Sequence, residues 1–255
     1  MREKSNQVFD AAFRLSRITH HVSRIIQPEL LDQLPETDPA AVRSRRDLRR
    51  VNCWMGNAGK AARAINAEFA RSKPRKVLEL GAGDGIFFLR VAELLGPAWK
   101  GSQVILLDRQ QLVSPETQAL LQRLGWHVEA LQSDVFEALD AQQDCDIILA
   151  NLFLHHFSDL RLKEMLRFVA QRASLFVAVE PRRSVQSLLF SRLLWFIGCN
   201  HVTRHDAVVS VQAGFRGKEL SSLWPTETGW LLREGRSGQF SHVFVAAKMG
   251  ALTNH

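Results

Sequence analysis

The chain is expected to fold as an α/β protein: an open, mainly parallel seven-stranded sheet ending in an antiparallel C-terminal hairpin, behind an N-terminal helical extension. Three observations lead there. Beyond residue 75, short apolar runs alternate with helix-length amphipathic segments, the pattern of a parallel sheet covered on both faces. The first run enters a glycine cluster, Gly81-Ala-Gly-Asp-Gly85, and a helical pattern follows at once. The last two runs are joined by only Gly235-Arg-Ser-Gly-Gln239; no helix fits between them, so they must pair antiparallel.

The elements follow in order. Phe9, Phe13, Leu15, Ile18, Val22 and Ile25 recur at near-helical steps, which predicts a helix over 5–26 ended by Gln27-Pro28. Asp38-Pro39 fits an N-cap with proline at the first helical position. The helix it opens, 39–55, is expected to put Leu48, Val51 and Met55 on one side and Arg43, Arg45, Arg46, Arg49 and Arg50 on the other. A third helix covers about 58–71. The first strand is 76–80 and the helix after the glycines 86–95, closed by Gly96-Pro97. Strands at 103–108, 127–132, 146–151 and 175–180 continue the sheet. Ser114-Pro115-Glu116 opens a helix with a cap, an N1 proline and an acidic first turn, and Gly125 is placed to end it. Helices near 136–142 and 159–172 separate the later strands. Residues 230–234 and 241–248 form the hairpin.

Length and composition fit this. The 255 residues suit one domain with an appendage: a helical extension over 1–72 serving as lid or cap, and the sheet domain over 73–249. Hydrophobic residues are 46% and charged residues 23%, which excludes disorder and low complexity as whole-chain descriptions. Cys53, Cys145 and Cys199 lie far apart, so neither a disulfide scaffold nor a metal knuckle is expected. The N-terminus has no apolar signal region. The longest apolar stretch, 185–199, is interrupted by Gln186 and Arg192 and is too short to span a membrane. A cytoplasmic protein follows as the expectation.

The net charge of +7 is unevenly placed. Residues 1–76 hold 16 Lys+Arg and 8 Asp+Glu; residues 77–255 hold 17 and 18. The basic excess belongs to the extension, and the sheet domain is near neutral.

Glycines let the backbone turn tightly and let a ligand approach with no Cβ in the way. In open α/β sheets ligands sit at the carboxyl ends of the strands. A dinucleotide fingerprint reads G-x-G-x-x-G, whereas Gly81, Gly83 and Gly85 are spaced G-x-G-x-G. Glu79 stands two residues before Gly81, where a carboxylate suits a cationic ligand better than a pyrophosphate. Asp108 ends the second strand, 23 residues after Gly85, the place from which a carboxylate can accept from both hydroxyls of a ribose. Asp134 follows the third strand at the same edge.

These residues resemble the class I S-adenosylmethionine-dependent methyltransferases, in their small-molecule branch, over about residues 76–180. The Glu79 to Gly85 stretch is similar to that family's first motif, Leu106-Leu-Asp108 to its ribose-binding acid, and Ser133-Asp134-Val135 to its adenine contacts. Cys145 to Asp159 is similar to its fourth-strand motif. The resemblance implies a Rossmann-like fold with S-adenosyl-L-methionine as cofactor. It implies that Glu79 and Gly81, Ala82, Gly83 and Gly85 hold the methionine portion. Asp108, with neighbouring Arg109, would hold the ribose, Asp134 and Val135 the adenine. Asn151 would face the methyl group. No metal is implied.

A hydroxyl acceptor benefits from a base, most often histidine. His155 and His156 follow the fourth strand, and His201 and His205 lie between the fifth strand and the hairpin; His156, His205 and His155 are the candidates. Asn151-Leu-Phe-Leu lacks the Pro-Pro of the amide-methylating pattern, which disfavours DNA-base and many protein-amide acceptors. The apolar segment with Leu188, Leu189, Leu193, Leu194, Trp195 and Phe196 would either wall an apolar acceptor site or pack in the core. The expected activity is methyl transfer to oxygen or carbon of a small, fairly apolar molecule. The alternatives are an RNA methyltransferase anchored by the basic helix and a catalytically silent scaffold. The Arg43–Arg50 run reads as a solvated face, a cap over the site, or an RNA or membrane-surface contact. With no RNA-binding module and no basic–aromatic interleaving, nucleic acid ranks last.

Overall fold

The computed structural model describes residues 23–69, 75–141, 144–195, 198–226 and 229–249. The helix expected over 5–26 lies outside them except for residues 23–26, which are not helical. A short helix α1 (Leu30–Gln33) precedes α2 (Pro39–Met55) and α3 (Asn57–Glu68). Then come β1 (Lys76–Leu80), α4 (Ile86–Leu95), β2 (Gln103–Asp108), α5 (Pro115–Arg123), β3 (His127–Gln132) and α6 (Val135–Ala141). They are followed by β4 (Cys145–Asn151), α7 (Asp159–Arg172), β5 (Ala173–Pro181), α8 (Val185–Leu193), α9 (His201–Ala213) and α10 (Glu219–Leu223). The hairpin β6 (Trp230–Ser237) and β7 (Ser241–Lys248) closes the fold.

The seven strands form one sheet in the order β3-β2-β1-β4-β5-β7-β6. β1 to β5 are parallel; β7 runs antiparallel to β5, and β6 to β7. The order reverses at β1, and β4 lies on its other side. This topological switch point opens a crevice at the strands' carboxyl ends.

Alternation along the strands builds two cores. Leu78, Leu80, Ile105, Leu107, Ile148 and Phe176 face α6, α7 and α10. Val77, Val104, Leu106, Ile147, Leu149 and Val177 face α3, α4 and α5, with Trp99 and Trp126. Because both faces are covered, the central strands are mainly apolar, and the buried acids Glu79 and Glu180 stand near their carboxyl ends. Ala61, Ala62 and Ile65 of α3 are buried in the second core, so the helical layer over the sheet begins upstream of residue 73.

The α2 helix starts as its sequence predicts: Asp38 accepts from Ala40 N–H and Ala41 N–H, with Pro39 at N1. Its buried face differs from the expectation. Ala41, Ser44 and Asp47 are buried, whereas Leu48, Val51 and Met55 are half-buried. The reason is polar matching with α9. Ser44 Oγ lies 2.9 Å from Thr203 Oγ1, and Asp47 Oδ2 accepts from Asn200 N–H at 2.9 Å. The chain before α2 is a strap across α9. Arg24 donates to the Ala213, His155 and Phe157 carbonyls and pairs with Asp159. Asp206 accepts from Leu30 N–H and Leu31 N–H at 2.8 and 3.0 Å.

Candidate active site

The crevice is a cavity of about 710 Å³. Its floor is Glu79, Gly81, Ala82, Gly83, Asp108, Arg109 and Asn151, from the ends of β1, β2 and β4. Its roof is the strap and α2, through Glu29, Leu31, Asp32, Leu48, Arg49 and Asn52. Arg49 reaches down from α2 to pair with Asp84 of the glycine loop.

Each glycine of the loop has a left-handed φ, but for different ends. At Gly81 (φ 66°) a Cβ would lie 2.2 Å from Phe153 Cδ2. At Gly83 (φ 54°) nothing would obstruct a Cβ within 4 Å, so the space there is open, and its N–H donates to Asp108 Oδ2 at 2.8 Å. Gly85 does not line the cavity; it seats α4 against Leu106 and Thr117. Asp108 is fixed on both oxygens, since Oδ1 accepts from Gln110 N–H at 2.9 Å. Asp134 and Val135 lie outside this cavity's lining. Asp134 accepts from Phe136 N–H at 2.8 Å, and Val135 is buried in the core.

The electrostatics of the floor are unusual. Glu79 is 1% exposed, and its Oε2 has no hydrogen-bond partner. Burial, then the charges of Asp84 and Asp108, push its carboxyl well above the ordinary range. In the roof, Asn52 Oδ1 is also buried without a partner. Both orphan atoms are oxygens, and a ligand that brings donors and positive charge satisfies Asn52 Oδ1 and favours the ionised, accepting form of Glu79.

At the end of β4, Asn151 accepts from Asn57 Nδ2 at 3.0 Å, and Asn57 Oδ1 accepts from Ser241 Oγ at 2.8 Å. The next residue, Leu152, has a φ of 51°, a left-handed conformation rare outside glycine. That bend starts the short 3₁₀ turn Leu154–His156. Glu180, fully buried at the end of β5, holds the turn: Oε1 accepts from Phe153 N–H and Leu154 N–H, and Oε2 from His155 Nδ1 at 2.9 Å.

Of the three candidate histidines, His155 lines the cavity and His156 and His205 do not. His155 Nε2 lies 3.3 Å from Glu29 Oε1 of the strap. Burial alone would lower the His155 pKa, but Glu180 and Glu29 outweigh it and raise it to about 9. Conversely, burial alone would raise Glu29, and His155 holds it down at about 2. The His156 ring lies 4.3 Å from that of His155, tilted by 32°, and sits 3.5 Å from Asp32; burial and the His155 charge push its pKa down. His205 is a half-exposed residue of α9, bonded to Asp206 at 2.9 Å. The described part of the 185–199 segment does not wall the cavity: Leu188 and Leu194 are buried, while Leu189, Leu193 and Trp195 face outward. Phe196 lies outside the described residues.

Sequence reasoning missed Glu29, Asn57 and Glu180. Glu180 carried a signal, an acid at a strand end like Asp108. Glu29 carried none, because only the strap's path over α9 brings it to His155.

Residues 77–172 match the family described as methyltransferase domain. No curated protein sequence matches the chain. Among solved structures, the chain is similar to the plantazolicin methyltransferase BpumL in complex with SAH, with 13% identity, 95% of this chain and 99% of that one covered, and a TM-score of 0.60. It is similar to the mitomycin 7-O-methyltransferase MmcR, with 20% identity, 94% and 67% covered, and a TM-score of 0.57. It is also similar to human N-acetylserotonin methyltransferase in complex with SAM, with 13% identity, 98% and 68% covered, and a TM-score of 0.51.

Proposed function

We propose that this chain, an S-adenosylmethionine-dependent methyltransferase by its domain match and fold, methylates an oxygen or carbon of a small, fairly apolar molecule. The observation that carries the reading is the unpartnered Glu79 carboxyl on the floor of a roofed cavity at the switch point. An ammonium is the donor-rich cation that such a group accepts. Open space at Gly83 leaves the close approach that the ligand's chain needs, and Asp108, already oriented by two amides, keeps lone pairs for ribose hydroxyls. The residues therefore fit the cofactor, whose sulfonium supplies an electrophilic methyl group.

This chain's own residues align the acceptor and manage its proton. Methyl transfer is a direct displacement, so alignment and exclusion of water supply most of the rate. The strap and α2 close the cavity from above. Asn57 orients Asn151 at the end of β4. Glu180 fixes the His155 ring through Nδ1, which leaves Nε2 as the atom that faces an acceptor. With Glu29 against it, His155 is an imidazolium at neutral pH. An acceptor hydroxyl that displaces Glu29 removes one of the two charges holding the Nε2 proton; that proton leaves to solvent, and the neutral ring, still held at Nδ1 by Glu180, takes the acceptor's proton. His155 is thus the proposed base, with Glu29 setting when it is available. The solved structures to which the chain is similar include a mitomycin O-methyltransferase and an N-acetylserotonin methyltransferase, which supports a small acceptor.

The test is transfer of labelled methyl from S-adenosylmethionine to a panel of phenols, long-chain alcohols and activated carbon acids, with total tRNA alongside. Label is expected in a small acceptor at a rate insensitive to salt. Label in tRNA, with a steep salt dependence, would replace this reading with RNA methylation.

A further inference from the structure

The outer side of α2 does not serve the cavity. Arg43, Arg46, Arg50 and Trp54 follow one another along it at three- and four-residue steps, and all four are exposed. Trp54 is 60% exposed. Its ring stacks on Phe190 of α8 at 4.6 Å and lies 5.1 Å from Phe240 of the β6–β7 turn, and those two rings are 4.6 Å apart. Beside this trio, α8 exposes Leu189 and Leu193, a helical pair on one side, with Arg192 next to them. Neither helix shows an exposed carboxylate. The one acid in the two, Asp47, is buried and accepts from Asn200 N–H.

We propose that this face docks on an anionic lipid bilayer. Three separate chain segments gather large apolar side chains at the surface instead of in a core, which marks an interaction site. Tryptophan is the residue suited to a layer that is apolar on one side and wet on the other. The exposed charges of the two helices are all guanidiniums, which match a negatively charged headgroup layer, although Arg50 also lies 3.8 Å from the buried Asp47 carboxylate. The face also adjoins the cavity: Cys53, next to Trp54, lines it. A bilayer-dissolved acceptor would meet the cavity's edge without crossing water; that last step rests on the methyl-transfer reading, and the docking does not.

The experiment is co-sedimentation of the full chain with vesicles of phosphatidylcholine and with vesicles of phosphatidylcholine mixed equally with phosphatidylglycerol. Binding to the mixed vesicles and not to the neutral ones is expected. Removing an arginine near the surface should lower partitioning roughly fivefold, so Arg46→Ala with Arg50→Ala should lower it about 25-fold. Leu189→Ser with Leu193→Ser should release the protein from the mixed vesicles at unchanged charge. S-adenosylmethionine binding by both variants reports that they are folded and separates failure of docking from failure of the methyl-transfer reading. No binding to mixed vesicles by the parent chain overturns the proposal. So does binding that neither pair of substitutions weakens, and so does a lipid-free dimer that Trp54→Ser dissociates.

Discussion

Replacing Glu79 by glutamine tests the electrostatics of the cavity floor. The side chain is buried, its Oε2 has no partner, and Asp84 and Asp108 add repulsion, so its pKa lies well above 4.5 in the ligand-free chain. A bound ammonium favours the carboxylate and draws that pKa down. Binding therefore releases a proton wherever the free chain holds one, and affinity rises with pH until the raised pKa is passed. A hydrogen bond to a charged group contributes about 1.5–3 kcal/mol, so Glu79→Gln should weaken S-adenosylmethionine binding roughly 10- to 150-fold. Titration calorimetry in two buffers of different ionisation heat reads both quantities: proton release from the parent chain and none from Glu79→Gln. Equal affinities, or equal proton release, would refute the reasoning. The same pKa predicts the opposite effect on stability. A carboxyl raised on folding is stabilising below its unfolded pKa and loses that contribution as pH rises. The ligand-free Glu79→Gln protein should then melt higher at pH 8, by about 2–4 °C per kcal/mol recovered.

Three further outcomes are expected. Asp108→Ala removes the acceptor for Gly83 N–H and Gln110 N–H and the proposed ribose contact, so cofactor binding should fall by about 1.5–3 kcal/mol in a calorimetric titration. Glu29→Gln removes a charge that holds the His155 proton, so the rise of kcat with pH should move to lower pH. His155→Gln should abolish that rise while leaving cofactor affinity within about twofold; an unmoved profile in both variants would exclude His155 as the base. Gly81→Ala puts a methyl 2.2 Å from the Phe153 ring at a φ of 66°, and chemical denaturation should show a loss of about 1–3 kcal/mol.

The sheet was legible because it obeys local rules. Strand alternation, helix caps and the short Gly235–Gln239 link each report on a few neighbouring residues, and together they force the parallel sheet with its antiparallel end. The positions of Glu79 and Asp108 at strand ends were legible for the same reason. The roof was not. The buried face of α2 is Ala41, Ser44 and Asp47, chosen by hydrogen bonds to Thr203 and Asn200, and hydrophobic periodicity is blind to a polar interface. His155 and His156 are adjacent in sequence, yet they differ because Glu180 and Glu29, 25 and 126 residues away, converge on one of them. The high pI invited a nucleic-acid partner. On α2 the arginines divide three ways: Arg49 reaches the glycine loop, Arg45, at the cavity, donates to the Glu36 carbonyl, and Arg43, Arg46 and Arg50 form an outward stripe near exposed aromatics.

The most direct test is a crystal structure of the chain with S-adenosylhomocysteine. The ligand is expected in the cavity beneath the strap, its amino group against Glu79, its ribose on Asp108 and its sulfur toward the space between Asn151 and His155. A nucleoside bound anywhere else, or a cavity that excludes it while the strap is in place, would contradict this placement.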